Sequence, residues 1–83
     1  GIEAQTEQCL ANIAAALQQA GSSLDDVVRV TYIVPDGGEF PACWPALRRA
    51  FAQARPAATM ISAQLMDPRM RIEIEVTALR ASR

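Results

Sequence analysis

Two segments decide the fold: Arg55-Pro56-Ala57-Ala58-Thr59-Met60-Ile61 and Met66-Asp67-Pro68-Arg69-Met70-Arg71-Ile72-Glu73-Ile74-Glu75-Val76-Thr77-Ala78. Pro56 breaks any helix that reaches it. Ile61, Ala63 and Leu65 then alternate, which predicts a strand over 57–65. Asp67-Pro68 carries turn chemistry and joins that strand to a second one over 70–79. In the second strand the period-two pattern sets Ile72, Ile74 and Val76 on one face and Glu73 and Glu75 on the other.

Working back from Pro56, a second helix falls within 39–54, with Phe40, Trp44, Leu47 and Phe51 on one face. Pro41 and Pro45 complicate its start. A proline inside a helix clashes with the preceding turn, whereas one at the first position is tolerated, so an irregular turn around Pro41 and a regular helix from Pro45 are expected. Residues 27–34 are β-branched and aromatic and predict a strand. Val28, Val30, Tyr32 and Val34 form its apolar face, Arg29 and Thr31 lie on the other, and Pro35-Asp36-Gly37-Gly38 ends it. Residues 3–20 predict the first helix, with Leu10, Ile13, Leu17 and Ala20 on one stripe and Gly21 just past its end.

The order helix–strand–helix–strand–strand is an α+β pattern. Two helices covering one face of three strands leave the other face bare and the outer edges open. Either copies of the chain associate through the sheet or further strands complete it.

Composition sets the outer bounds. With 83 residues, the expectation is one domain, 1–83, with a thin core of its own. The chain is 51% hydrophobic and 20% charged, a globular balance. No apolar run approaches the ~20 residues that cross a bilayer, and the start lacks a signal-peptide pattern. A cytoplasmic protein with no membrane partner is therefore expected. A net charge of −1 with mixed signs gives no electrostatic footprint for nucleic acid. There is no histidine and there are two cysteines, so no metal site, cofactor or disulfide framework is expected, and Cys9 and Cys43 read as small buried thiols. The lack of histidine also removes Ser-His and Cys-His catalysis.

The motifs resemble the Rid family of small enamine/imine deaminases, also called RidA, YjgF or L-PSP-like proteins. The matching residues are Gln5, Thr6, Gln8, Asn12 and Ile13 in the first helix, Val27, Val28 and Thr31 in the first strand, and Glu39 and Phe40 at the second helix. Pro56, Ala57 and Thr59 follow, then Ile72, Glu73, Ile74, Glu75 and Ala78. The match spans essentially the whole chain but begins after the family's N-terminal hairpin strands. The resemblance implies a chorismate-mutase-like fold. It also implies a homotrimer whose sheets meet face to face and whose small-molecule ligand sits in clefts between subunits.

The resemblance further implies a site. Glu73 matches the family glutamate that positions the water attacking the imine carbon, which makes it the candidate catalytic residue. Ala58 falls where the deaminases carry an arginine that grips the substrate carboxylate. Trp44 falls where a helix-borne asparagine lies near the family's pocket, and Met60 where a cysteine or threonine is frequent. Trp44, Ala58, Thr59 and Met60 are thus the candidate ligand pocket, with no metal. Each has a plainer reading. Glu73 and Glu75 alternate as a solvated strand face would. Trp44 suits a core or interface, Met60 and Met66 suit gap filling, and Arg48-Arg49 suits a solvated helix face. Asn12 is expected to tie the first helix to a neighbouring loop. Three functions follow: an imine or enamine hydrolase lacking the usual carboxylate clamp, a non-catalytic small-molecule-binding trimer on the same scaffold, and the endoribonuclease or translation-inhibitor role attached to L-PSP-like proteins.

Overall fold

The computed structural model describes residues 1–80. Helix α1 spans Ile2–Gln19 and buries Ile2, Thr6 and Leu10. It ends as the glycine predicts. Gly21 has φ +80°, its N–H bonds the Gln18 carbonyl, and the Ser22 N–H reaches the Leu17 carbonyl at 2.8 Å. These paired bonds satisfy carbonyls that a helix end otherwise leaves orphaned. A short turn of 3-10 helix, Leu24–Asp26, leads into strand β1, Val27–Ile33.

After β1, Asp36 caps a 3-10 segment, Gly37–Cys43, by accepting from the Gly38 N–H at 3.0 Å. Pro41 sits inside this irregular turn, and helix α2 runs Trp44–Ala50 with Pro45 in its first turn. Both proline positions agree with the sequence reading. The helix ends four residues before the predicted limit of 54, and Arg55 adopts φ +47°. The residue before a proline is sterically disfavoured in helical conformation, so Pro56 acts upstream of itself.

Strand β2 is Ala57–Ile61 and strand β3 is Glu73–Ala78. Both are shorter than predicted, and they do not pair with each other. The sheet order is β2-β1-β3, with β1 parallel to β2 and antiparallel to β3. The strands shorten for one reason. The last ladder contact is the Val34 N–H to the Ile61 carbonyl at 2.9 Å, and the next residue, Pro35, has no N–H to extend it. Ala63 is therefore exposed and Leu65 only half-buried. Asp67-Pro68 does make a tight turn, closed by the Met70 N–H to the Asp67 carbonyl at 2.9 Å.

The apolar face of β1 also departs from strict alternation. A bulge between Val27 and Arg29 buries Val27, at 2% exposure, and turns Val28 out, at 43%. Such an insertion shifts every side chain before it to the opposite face. Past the bulge, Val30, Tyr32 and Val34 are buried as predicted. They meet Ile72 and Ile74 from the β3 segment, Leu47 and Phe51 around α2, and Leu10 of α1.

Both helices pack on this one face of the mixed sheet. The other face presents three rows across β2, β1 and β3: Ala57, Arg29, Thr77; then Thr59, Thr31, Glu75; then Ile61, Ile33, Glu73. No helix of the described residues is long and apolar enough to cross a membrane.

Candidate functional site

The register sorts the sequence-predicted site residues onto two sides of the sheet. Ala58 pairs beside Val30 and Met60 beside Tyr32, and Val30 and Tyr32 are core residues, so Ala58 and Met60 lean to the helix side. Thr59 and Glu73 lie on the bare side, Thr59 beside Thr31 and Glu73 opposite Ile33. One protomer therefore keeps Ala58 and Met60 on the opposite side of the sheet from Glu73.

On the helix side, the site is an aromatic run. The Tyr32 and Phe40 ring centroids are 5.2 Å apart and tilted by 53°, and Phe40 and Trp44 are 5.6 Å apart at 54°. These are tilted contacts of the kind ring quadrupoles favour. The Arg48 guanidinium lies 5.7 Å from the Trp44 ring centroid, within cation–π range. Trp44 stays 47% exposed and Met60 44%. Met60 reaches over the 3-10 turn, where its methyl would lie 3.8 Å from a Cβ added at Gly37. The Tyr32 hydroxyl is pushed up to about 12 by burial, so it remains a neutral phenol across the physiological range.

On the bare side, Glu73 is exposed at the start of β3. Its backbone is set from α1. The Gln5 Nε2 donates to the Arg69 carbonyl at 2.9 Å, and Gln5 Oε1 accepts from the Arg71 N–H at 2.7 Å. Arg71 then reaches Glu39 on the 3-10 turn at 2.6 Å. The segment entering Glu73 is thus fixed to two elements before the strand begins. A concavity of about 330 Å³ on this side is lined by Arg29, Thr31, Glu75, Val76 and Thr77. A second groove of about 330 Å³ runs between the helices, lined by alanines with Leu10 and Leu24 and bordered by Glu7 and Arg49. Neither includes Glu73, Trp44, Ala58, Thr59 or Met60.

Several expectations are corrected here. Asn12 does not tie α1 to a loop, because its Oδ1 accepts from Gln8 one turn earlier, at 2.9 Å. Met66 fills no gap, being 99% exposed. Arg48 and Arg49 do lie on an exposed helix face, where Arg49 bonds Glu7 at 2.5 Å and Arg48 lies over the Trp44 ring. Cys43 is fully buried, as expected, but Cys9 is only half-buried. The Cys9 thiol is pushed up first by burial and then by the negative charge of Glu73.

Thr6 and Gln5 are the residues the hydrophobic pattern missed. Thr6 is fully buried, 2.8 Å from the Ile2 carbonyl and 3.1 Å from the Cys43 sulfur. Its one proton serves the carbonyl, and the thiol can return its own to the hydroxyl oxygen. The available signal was spacing: Ile2, Thr6 and Leu10 recur every four residues, a stripe that vanishes when threonine is scored as polar. Among the described residues no group of three or more His, Cys, Asp or Glu side chains could hold a metal ion.

The family described as Endoribonuclease L-PSP matches residues 1–80. A RutC family protein, PH0854 of Pyrococcus horikoshii, is 35% identical over 77 residues, covering 93% of this chain and 61% of the relative. A 2-iminobutanoate/2-iminopropanoate deaminase of Dermatophagoides farinae is 26% identical over 74 residues, covering 89% of this chain and 58% of the relative. The chain thus spans about three-fifths of the curated relatives it matches. Among solved structures, Rv2704 of Mycobacterium tuberculosis, a member of the YjgF/YER057c/UK114 family, superposes with a TM-score of 0.90 at 37% identity. That match covers 94% of this chain and 67% of the other.

Proposed function

Because this chain belongs to the endoribonuclease L-PSP family, the RidA/YjgF group, we propose that it works as an enamine/imine hydrolase assembled from three copies of itself. The observation that carries this reading is the position of Glu73, an exposed carboxylate opposite Ile33 at the border of an uncovered sheet face. A second copy laid on that face would enclose Glu73 beside apolar side chains. Such a carboxylate can accept a proton from a bound water and aim the water oxygen at an electrophilic carbon. The reaction is R₂C=NH + H₂O → R₂C=O + NH₃. A C–O bond forms, the water's protons pass to nitrogen, and the C–N bond breaks as ammonia leaves.

The split of the site supports assembly as well. Ala58 and Met60 belong to the helix side and Glu73 to the bare side, so a pocket drawing on both needs more than one sheet. Two free cysteines suit a reducing compartment such as the cytoplasm. Ala58 brings no charge to the pocket. A charge-assisted hydrogen bond to a substrate carboxylate is worth roughly 1.5–3 kcal/mol, and this chain supplies none at that position. The exposed Trp44 and Met60 favour a second reading, a binding trimer without turnover. A nuclease reading is weaker, since Arg49, Arg69 and Arg71 each pair with a carboxylate and the net charge of −1 supplies little attraction for a polyanion.

The test is ammonia release from imines generated in place by an amino-acid oxidase or an amine oxidase, using the full-length protein. Turnover above the spontaneous rate is expected, and Glu73→Gln should lower kcat by about 10²–10⁴-fold. Ligand-induced spectral shifts with no acceleration of any imine would favour the binding trimer instead.

A further inference from the structure

We infer that Arg29 and Glu75 set the register in which copies of the chain meet, Arg29 of one copy pairing with Glu75 of the next across the bare sheet face. The inference rests on the self-assembly proposed for the chain and adds the device that selects one arrangement of the copies.

The strand register isolates the two charges. Arg29 stands directly opposite Thr77, and Thr31 directly opposite Glu75. Threonines thus take the direct cross-strand positions and leave Arg29 and Glu75 on a diagonal, about 7–8 Å apart along the backbone. Long side chains can still meet over that distance, yet these two do not. Among the described residues the ion pairs are Arg49 with Glu7, Arg69 with Asp67 and Arg71 with Glu39. Arg29 and Glu75 are both exposed, and both line the concavity of about 330 Å³ that Thr31, Val76 and Thr77 complete. A guanidinium and a carboxylate therefore stand on one face, each open to an opposite charge from outside.

The surroundings indicate what supplies those charges. The bulge between Val27 and Arg29 turns Val28 outward beside Arg29, leaving it 43% exposed. At the other end of the face Ile61 is 44% exposed and Ile33 is half-buried. A small solute at the charges would leave these apolar groups in water, whereas a protein surface would cover them. That surface must offer apolar groups at both ends and both signs of charge between them, and the same face of a second copy does so. A net charge of −1 gives two copies little mutual repulsion. Apolar contact alone leaves two sheets free to slide. A charge pair is satisfied in one register and meets like charge or no partner in others.

Native mass spectrometry of the full-length protein over a dilution series tests the pairing, with circular dichroism to confirm that each variant folds. Arg29→Glu leaves only acidic groups at the two positions and Glu75→Arg only basic ones. Each should weaken self-assembly at least about tenfold. The double variant, with the charges exchanged, should regain the parent mass and come within about threefold of the parent affinity. An equal mixture of the two single variants should form mixed assemblies more readily than either forms alone, which keeps the test open if the double variant fails to fold. Parent-like assembly by either single variant overturns the inference and leaves the self-assembly reading standing. So does a folded double variant no better assembled than the single ones. A parent that stays monomeric at high concentration defeats both. An assembled parent with the expected variant ranking but no imine turnover would defeat only the hydrolase reading.

Discussion

Gln5 and Arg71, 66 positions apart, are joined by a 2.7 Å hydrogen bond in which the Arg71 backbone N–H donates to the Gln5 side chain. The same amide donates to the Arg69 carbonyl at 2.9 Å. One side chain thus takes the place of a neighbouring strand for the stretch just before β3, where β1 has already ended.

Replacing Gln5 with alanine should therefore destabilise the fold by about 1–2 kcal/mol, the net worth of two hydrogen bonds. The measurement is the urea midpoint of the variant against the parent. Gln5→Glu keeps the acceptor but loses the donor to Arg69, and should lie at or below the alanine variant at neutral pH. Parent-like midpoints for both would show that the clamp contributes nothing.

The bulge in β1 gives an unusually local test. Val27 is buried and Val28 is largely exposed. Val27→Ala should cost about 1–3 kcal/mol through lost burial and the cavity left behind, while Val28→Ala should stay within about 0.5 kcal/mol. Strict alternation predicts the opposite ranking, so two denaturation curves decide between the two registers.

Tyr32 is the chain's only tyrosine, so ultraviolet absorbance titration reads it without interference. Its midpoint should lie near 12 rather than the ordinary 10.0. The folded-state value is raised because burial penalises the phenolate. Its stabilising contribution is therefore complete below pH 10 and declines as the pH climbs towards about 12. Tyr32→Phe should remove that part of the alkaline loss of stability, and a midpoint near 10 in the folded protein would contradict the burial seen here.

The thiols should differ in reactivity. Cys43 is inaccessible, whereas Cys9 is half-buried and its thiol is held above its usual range by burial and by Glu73. Since the thiolate is the nucleophile, alkylation at pH 8 should be slower at Cys9 than at a free thiol and absent at Cys43 until the protein unfolds. Glu73→Gln should speed Cys9 modestly. Site-resolved mass spectrometry checks all three outcomes.

The bare sheet face should govern assembly of the full-length protein. Native mass spectrometry is expected to give three times the subunit mass. Ile33→Asp, at the centre of the Ile61, Ile33, Glu73 row, should shift it towards single subunits by burying a charge in the contact. A parent protein that is monomeric at high concentration would remove the basis for a shared pocket.

The sequence carried the element types well where periodicity and breakers agreed. The Ile72, Ile74 and Val76 alternation, the Gly21 helix end and the Pro41/Pro45 split each rest on a local steric rule, and each holds in the structure. What local pattern could not supply was pairing. Two strands joined by Asp67-Pro68 look adjacent along the chain, yet Val30 and Tyr32 of β1 lie between them. Strand ends were invisible for a related reason, since the proline that stops β2 and β3 sits after β1. The candidate site was legible only in part. The resemblance placed Glu73 and Ala58 by position, but only register shows that they occupy opposite sides of the sheet.

The central place of β1 also bears on how the chain emerges during synthesis. Among the described residues, both strands that pair with it are made later, the first of them only after α2 is complete. A nascent chain whose Ala57–Ile61 segment is still inside the ribosomal exit tunnel exposes Val27–Ile33 without either of these partners. Until they emerge, its backbone hydrogen-bonding groups are left to solvent or to a chaperone.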